Sequence, residues 1–295
     1  MMEQNTEYYL SNCRYSILKL NADELVDKSP NALELIRMRT IDGVLIKNVL
    51  SNNQCNTIIG NLHKLSPKQK FEIHGCGGFL YPITFNQLRP DDNYNVFKER
   101  YFKEALEFRK NFTQIFEVDI ENIIRTIFSS ISGGRPILVP PGISNYETMM
   151  PATLRVFEAG RGGVFPHCHN NYDKELNSEL VNHFRTFIDF DNQISFFIMI
   201  KKPEYGGQLT LFNVEAKEAE QKRGDKDILR YDGSIFDTSL PSNKNLIEVD
   251  EGDMFIFAGG NIWHQIEEIQ GKKDRITIGG FGTFSKSNSE FYYWS

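Results

Sequence analysis

Apolar residues follow two different rhythms along the chain, one in each half. In the first half they recur every three or four positions, the spacing of a helix face. NALELIRMR (31–39) and SNNQCNTIIGNLHKL (51–65) show this, and Ser51 is placed to cap the second helix. Between them GVLIKNVL (43–50) reads as a strand. A long helix is predicted over 96–116, with Phe97, Tyr101, Ala105, Phe108, Phe112 and Ile115 on one face, and another over 119–131 through Ile120, Ile123, Ile124 and Ile127. Both faces predict core packing. The stretch FEIHGCGGFLYPITFNQLRPDD (71–92) mixes glycine, proline and aromatics. A loop of that length is more often a functional cover than a connector. It and the helix start near Tyr94 are therefore a candidate substrate lid, with His74, Phe79 and Tyr81 as candidate substrate contacts.

From SGGRPILVPPG (132–142) onward the period changes to that of strands. TLRVFEAG, QISFFIMI, GGQLTLFN, DMFIFAGG and RITIGGFGTFS are short apolar runs bounded by Gly, Pro, Asp and Asn. Strands that follow one another without intervening helices imply an antiparallel barrel or sandwich. The charged, turn-rich segment 213–245 reads as a surface insertion between two of them. The expected fold is α+β within one domain, 1–295: a mainly helical support and lid (1–145) packed on a β core (146–295).

Composition narrows the classes. Of 295 residues, 40% are hydrophobic and 24% charged, as in an ordinary globular protein, and 23 Phe with 12 Tyr suggest aromatic-lined walls. A net charge of −6 without a Lys/Arg cluster argues against nucleic acid or an anionic membrane as the main partner. No apolar run is long enough for a membrane span, and the first residues lack a signal-peptide core. Cys13, Cys55, Cys76 and Cys168 have no paired spacing, so a reducing, cytoplasmic setting is the expectation.

The chemistry gathers around GGVFPHCHNN (162–171), which holds two of only six histidines in the chain. On a strand, positions i and i+2 face the same side. His167 and His169 are thus candidate ligands of one metal ion, with His264 of GGNIWHQIE a third. Imidazole suits Fe, Zn, Cu or Ni. Cys168, between the two, is expected to point the other way and pack. Asn170 and Asn171 are assigned to the loop, and His63 and His183 are expected on the surface. Arg275 opens the strand RITIGGF. Its planar fork binds a carboxylate twice and stays charged when buried. A metal at one end of a barrel and a guanidinium deeper in it would suit a small dicarboxylate.

These blocks resemble a known family. The HxH pair, Gly206-Gly207-Gln208-Leu209, a distal histidine and an arginine soon after it resemble the Fe(II)/2-oxoglutarate-dependent oxygenases, which fold as a double-stranded β-helix of jelly-roll or cupin-like form. PATLRVFEAG, the QISFFI strand, PEYGGQLTLFN, GDMFIFAGGNIWH and the tail RITIGGFGTFSKSNSEFYYWS are similar to the free-standing aliphatic halogenases of cyanobacterial indole-alkaloid biosynthesis. The likeness runs from about residue 30 onward.

The resemblance implies iron bound by His167 and His264, 2-oxoglutarate paired with Arg275, and O2-dependent oxidation of an aliphatic carbon of a small molecule, releasing succinate and CO2. Ser195 and Thr277 are further candidates for contact with the co-substrate. Position 169 departs from the pattern. Hydroxylases carry Asp or Glu there, and the halogenases a small residue that leaves room for chloride. With His169 as ligand, three neutral imidazoles leave the ion at +2 instead of +1, which alters redox tuning and metal selectivity. Hydroxylation by a three-histidine site is the favoured reading, because a halogenase would have to place a bulky ring where that family keeps space and a zinc site would leave Arg275 without a purpose. The alternatives are a ring turned away with chloride or water in its place, as in a halogenase, and a zinc-dependent or non-catalytic metal-binding relative.

Overall fold

The computed structural model describes residues 15–73, 77–84, 94–144, 146–169, 179–216 and 244–295. It is a mixed helix-and-sheet fold, and most strand pairs are antiparallel. The strands are β1 (Ile17–Asn21), β2 (Gly43–Lys47), β3 (Phe71–Glu72), β4 (Gly78–Tyr81), β5 (Ile137–Leu138), β6 (Thr153–Phe157), β7 (Val164–His167) and β8 (Ile194–Lys201). They continue with β9 (Tyr205–Gly206), β10 (Leu209–Glu215), β11 (Lys244–Ile247), β12 (Met254–Phe257), β13 (Ile262–Ile266), β14 (Ile269–Gln270), β15 (Arg275–Phe284) and β16 (Phe291–Trp294). A ten-stranded sheet runs β1-β2-β12-β8-β15-β6-β4-β3, with β16 beside β15 and β5 beside β16. A four-stranded sheet runs β11-β10-β13-β7. Strands of the two sheets line one cavity between them.

The helices form where the apolar spacing places them. One spans Asn52–Asn61, and its Ser51 accepts the Gln54 N–H while Gln54 reaches back to the Ser51 N–H, satisfying two end donors reciprocally. The long helix Tyr94–Phe116 buries Phe97, Tyr101, Ala105, Phe108, Phe112 and Phe116. Its Tyr101 hydroxyl donates to the Ser295 carbonyl at 2.6 Å and accepts the Met150 N–H at 2.9 Å, so a polar group deep in the core is fully paired. The helix Ile120–Ile131 starts at Asp119, which caps the Asn122 N–H, and drives Phe128 between Phe196 and Phe291 of the main sheet. Among the described residues no helix is long and apolar enough to cross a membrane.

Two expectations need correction. The N-terminal half is not simply a helical support: β1 to β5 all lie within the ten-stranded sheet. Part of the Gly- and Pro-rich stretch is sheet as well. Residues 78–81 form β4, paired antiparallel with β6, because long-range pairing overrides a local composition that reads as loop. Of the charged insertion, residues 217–243 lie outside the described residues; the strands they join, β10 and β11, pair antiparallel.

Candidate metal centre and cavity

His167 is the last residue of β7, and His264 stands directly opposite it on β13. Cross-strand partners on one face bring their side chains together, and the two rings lie 4.4 Å apart between centroids. His169 completes the group at 4.7 Å from each. β7 itself ends at His167, so His169 lies two residues past the strand. Its N–H donates to the Gly259 carbonyl at 3.0 Å. One nitrogen from each imidazole lies within 4.8 Å of the others.

Hydrogen bonds select which nitrogen that is. His167 Nδ1 meets the Phe165 carbonyl at 2.7 Å, and His264 Nδ1 meets the Ile262 carbonyl at the same distance. A carbonyl only accepts, so each Nδ1 carries the proton and each Nε2 keeps its lone pair. His169 Nδ1 faces the Ser195 hydroxyl at 2.7 Å. Desolvation holds all three rings below the usual histidine range; for His169 the charges of His264, His167 and Arg155 add to it, and for His264 that of His167. They are therefore neutral at pH 7, the form that binds a cation.

The histidines open on a cavity of about 260 Å³. Its apolar wall includes Leu80, Phe157, Val164, Phe196, Phe197, Phe257, Ile266 and Phe281, and its polar groups include Arg155, Ser195, Arg275 and Thr277. Arg275 is only 2% exposed. Its Nε donates to the Gly207 carbonyl at 2.8 Å, and its guanidinium lies 5.2 Å from the centre of the Phe197 ring. Among the described residues no carboxylate pairs with it. Burial, reinforced by Arg155, pushes its pKa down to about 9. A buried guanidinium without a counter-charge is costly, and a bound anion would remove that cost. Gly207 carries the close approach: it has a φ of +65°, and a Cβ there would lie 3.3 Å from Arg275 Cδ. Gly207 is thus part of the arginine's seat, whereas a Cβ on Gly206 would strike the Glu268 carbonyl.

The other sequence candidates divide. Thr277 lines the cavity and stands opposite Arg155 on β6. Ser195 also lines it, hydrogen-bonded to His169. Phe79 and Tyr81 do not line it. Successive residues of a strand face opposite sides, and Leu80 is the one that faces the cavity; Tyr81 is buried against Phe112 and Phe116, and Phe79 lies under Lys70. His74, Asn170 and Asn171 lie outside the described residues. Cys168 packs beside Phe212, Val214 and Trp263, the packed thiol expected of it. His63 is exposed, but His183 is half-buried with its ring 5.3 Å from that of Phe187. Sequence reasoning missed Arg155, Leu80, Thr84 and Phe281. A charged residue inside the apolar run TLRVF was the available signal for the first.

The cavity thus brings together His167, His264 and Arg275, the residues whose pattern resembles the Fe(II)/2-oxoglutarate-dependent oxygenases. Solved structures agree in fold. The N-substituted L-amino acid dioxygenase of Burkholderia ambifaria AMMD matches with a TM-score of 0.52 at 14% identity, over 88% of this chain and 90% of that one. Its complex with α-ketoglutarate matches with the same TM-score at 13% identity, over 90% of each chain. No curated protein matches the sequence significantly. The family model of the carrier-protein-independent halogenase WelO5 matches residues 14–295. The chain belongs to that family, and it is an enzyme of this oxygenase class.

Proposed function

We propose that the protein binds Fe(II) through His167, His169 and His264, takes 2-oxoglutarate and O2 as co-substrates, and hydroxylates an aliphatic carbon of a free small molecule. The carrying observation is one cavity that holds three neutral imidazoles within 4.8 Å and a buried guanidinium that no carboxylate among the described residues pairs with. The donor set fits a divalent first-row ion, and Arg275 fits the far carboxylate of a dicarboxylate. Iron, when bound, supplies the redox chemistry that couples O2 to oxidative decarboxylation of 2-oxoglutarate.

The rest falls to the chain. His167 and His264 present Nε2 from a cross-strand pair, so the metal's position is set by sheet register. Arg275 orients the co-substrate, and the Thr277 hydroxyl supplies a further hydrogen bond on the same strand. Phe157, Phe196, Phe197, Phe257 and Phe281 keep water out and leave an apolar space for the substrate carbon. The strands of the two sheets are arranged in this reading as a double-stranded β-helix.

Anaerobic addition of Fe(II) and 2-oxoglutarate should give a weak visible charge-transfer band, and air should then release succinate. A wild type that gives neither would overturn the proposal. A second reading, halogenation, is favoured by family membership. It requires chloride at the metal in place of the His169 ring. Product mass in the presence of chloride separates the two, and His169→Gly should shift the outcome toward halide transfer if the ring is what blocks it.

A further inference from the structure

His169 is held differently from the other two histidines. It lies beyond the end of β7, so sheet register does not orient its ring. Three contacts do so instead. Its backbone N–H donates to the Gly259 carbonyl at 3.0 Å, its Nδ1 lies 2.7 Å from Ser195 Oγ on β8, and the Phe281 ring meets it edge-on at 4.8 Å. Gly259 is shaped to this arrangement: a Cβ there would overlap Ser195 Oγ and come within 3.4 Å of His169 Nδ1.

Resting on the three-histidine reading above, we propose that Ser195 is a positioning residue for the third metal ligand, and that Gly259 is glycine to make room for it. The chemistry follows from the donor inventory. A backbone carbonyl can only accept, so the tautomers of His167 and His264 are fixed whether or not a cation is present. A hydroxyl can donate or accept, so it can meet either tautomer of His169. When Nε2 binds a cation, Nδ1 must carry the proton and donate to Ser195 Oγ. The serine then acts as the outer partner that metal-bound histidines generally have, fixing both tautomer and ring direction. Its own proton becomes free to donate into the cavity, which it lines. Ser195 thereby ties the ten-stranded sheet to a ligand that follows a strand of the four-stranded one.

The test is anaerobic titration with Co(II), following affinity and the visible ligand-field band, in four proteins: wild type, Ser195→Ala, His169→Gly and the double variant. Loss of an outer partner costs about 10–100-fold in metal affinity. Ser195→Ala should therefore weaken Co(II) by about that factor and shift the band, whereas adding it to His169→Gly should change neither. Gly259→Ala, which pushes the hydroxyl aside without deleting it, should behave like Ser195→Ala. A circular dichroism spectrum matching wild type shows that each variant is folded. Tight Co(II) binding by the wild type with no change in Ser195→Ala would overturn this inference and leave the functional reading standing. So would an equal loss from Ser195→Ala in both backgrounds, which would mean that the serine acts without the histidine. A wild type that binds no Co(II) would overturn both.

Discussion

The two walls of the cavity are built from different sheets and carry different chemistry. The four-stranded sheet brings His167 and His264, both neutral and both oriented by carbonyls of their own strands. The ten-stranded sheet brings Arg155 on β6 and Arg275 with Thr277 on β15. Neither wall contributes a carboxylate to the lining formed by the described residues. The lining formed by the described residues is therefore short of negative charge at both ends, which suits the anionic co-substrate proposed above. A fixed carboxylate at position 169 would have neutralised part of the metal end. His169 leaves that task to the ligand.

The comparison can be broken most sharply at the imidazole wall. His264→Ala removes a proposed ligand that is 3% exposed and paired directly with His167. Metal affinity should fall by more than the roughly 100-fold that marks loss of an outer partner, as measured by anaerobic competition titration. Binding of 2-oxoglutarate should fall with it, because one end of the co-substrate loses its anchor. At the opposite wall, Arg275→Ala should raise the 2-oxoglutarate requirement at least about 30-fold, since breaking a buried hydrogen-bonded charge pair costs about 2–5 kcal/mol. Metal affinity measured without 2-oxoglutarate should stay near wild type. Equal effects on both ligands would show that the walls are not separate.

The same separation appears in thermal denaturation. A ligand that binds only the folded state at about 100 times its Kd adds about 2.7 kcal/mol. For a chain of this size that amounts to roughly 5 °C in Tm. Saturating 2-oxoglutarate with Co(II) should produce such a rise over Co(II) alone in the wild type. Arg275→Ala, with affinity about 30-fold weaker, should keep only about a third of it, about 0.9 kcal/mol, at the same concentration. A full rise in the variant would remove Arg275 from the co-substrate site.

How far the sequence revealed these walls depended on how locally each feature is encoded. The helix face from Phe97 to Phe112 and the Ser51 cap were legible because they depend on neighbours three or four residues away. His167 and Arg275 were legible as strand-end residues, His264 was read as following a strand and instead sits mid-strand in β13, and the pattern of the three matched a family. His169 was expected beside His167 and lies there, two residues past the end of β7 and held by a bond to Gly259, ninety residues on, that no local pattern shows. Tyr81 could not be assigned correctly from its Gly- and Pro-rich surroundings. Pairing with β6 makes that stretch a strand, and only then does its parity turn Leu80 inward and Tyr81 toward Phe112. Arg155 was hidden likewise, because its relation to Thr277 is a matter of register between strands over a hundred residues apart.

Acidity should separate the walls with a definite sign. The three histidines have folded-state values below the ordinary one of 6.5. Protons therefore compete poorly for the site, and metal affinity should hold level from pH 8 to about 6.5 and fall only at lower pH, where a free imidazole would already be half protonated. The same shift makes the metal-free protein lose stability as pH falls below 6.5, since the unfolded chain then takes up protons that the folded chain refuses. Arg275, lowered to about 9, stays charged throughout this range and should contribute no pH dependence there. An affinity that declines steadily from pH 8 would place at least one ligand histidine above its ordinary value and contradict the buried, neutral wall.

The smallest expected effect is also the most selective. Thr277 lies two residues beyond Arg275 on β15, is 1% exposed and lines the cavity. Thr277→Val keeps the branched shape and removes only the hydroxyl. A single neutral hydrogen bond contributes about 1 kcal/mol net, so the 2-oxoglutarate requirement should rise about 5-fold while Co(II) affinity and its visible band remain those of the wild type. The direction of the difference matters more than its size. If the hydroxyl serves the anion, its loss follows Arg275 in kind and falls below it in magnitude. If Co(II) affinity falls instead, the ten-stranded sheet reaches the metal through Thr277 as well as through Ser195, and the division of labour between the two walls would have to be redrawn around the metal alone.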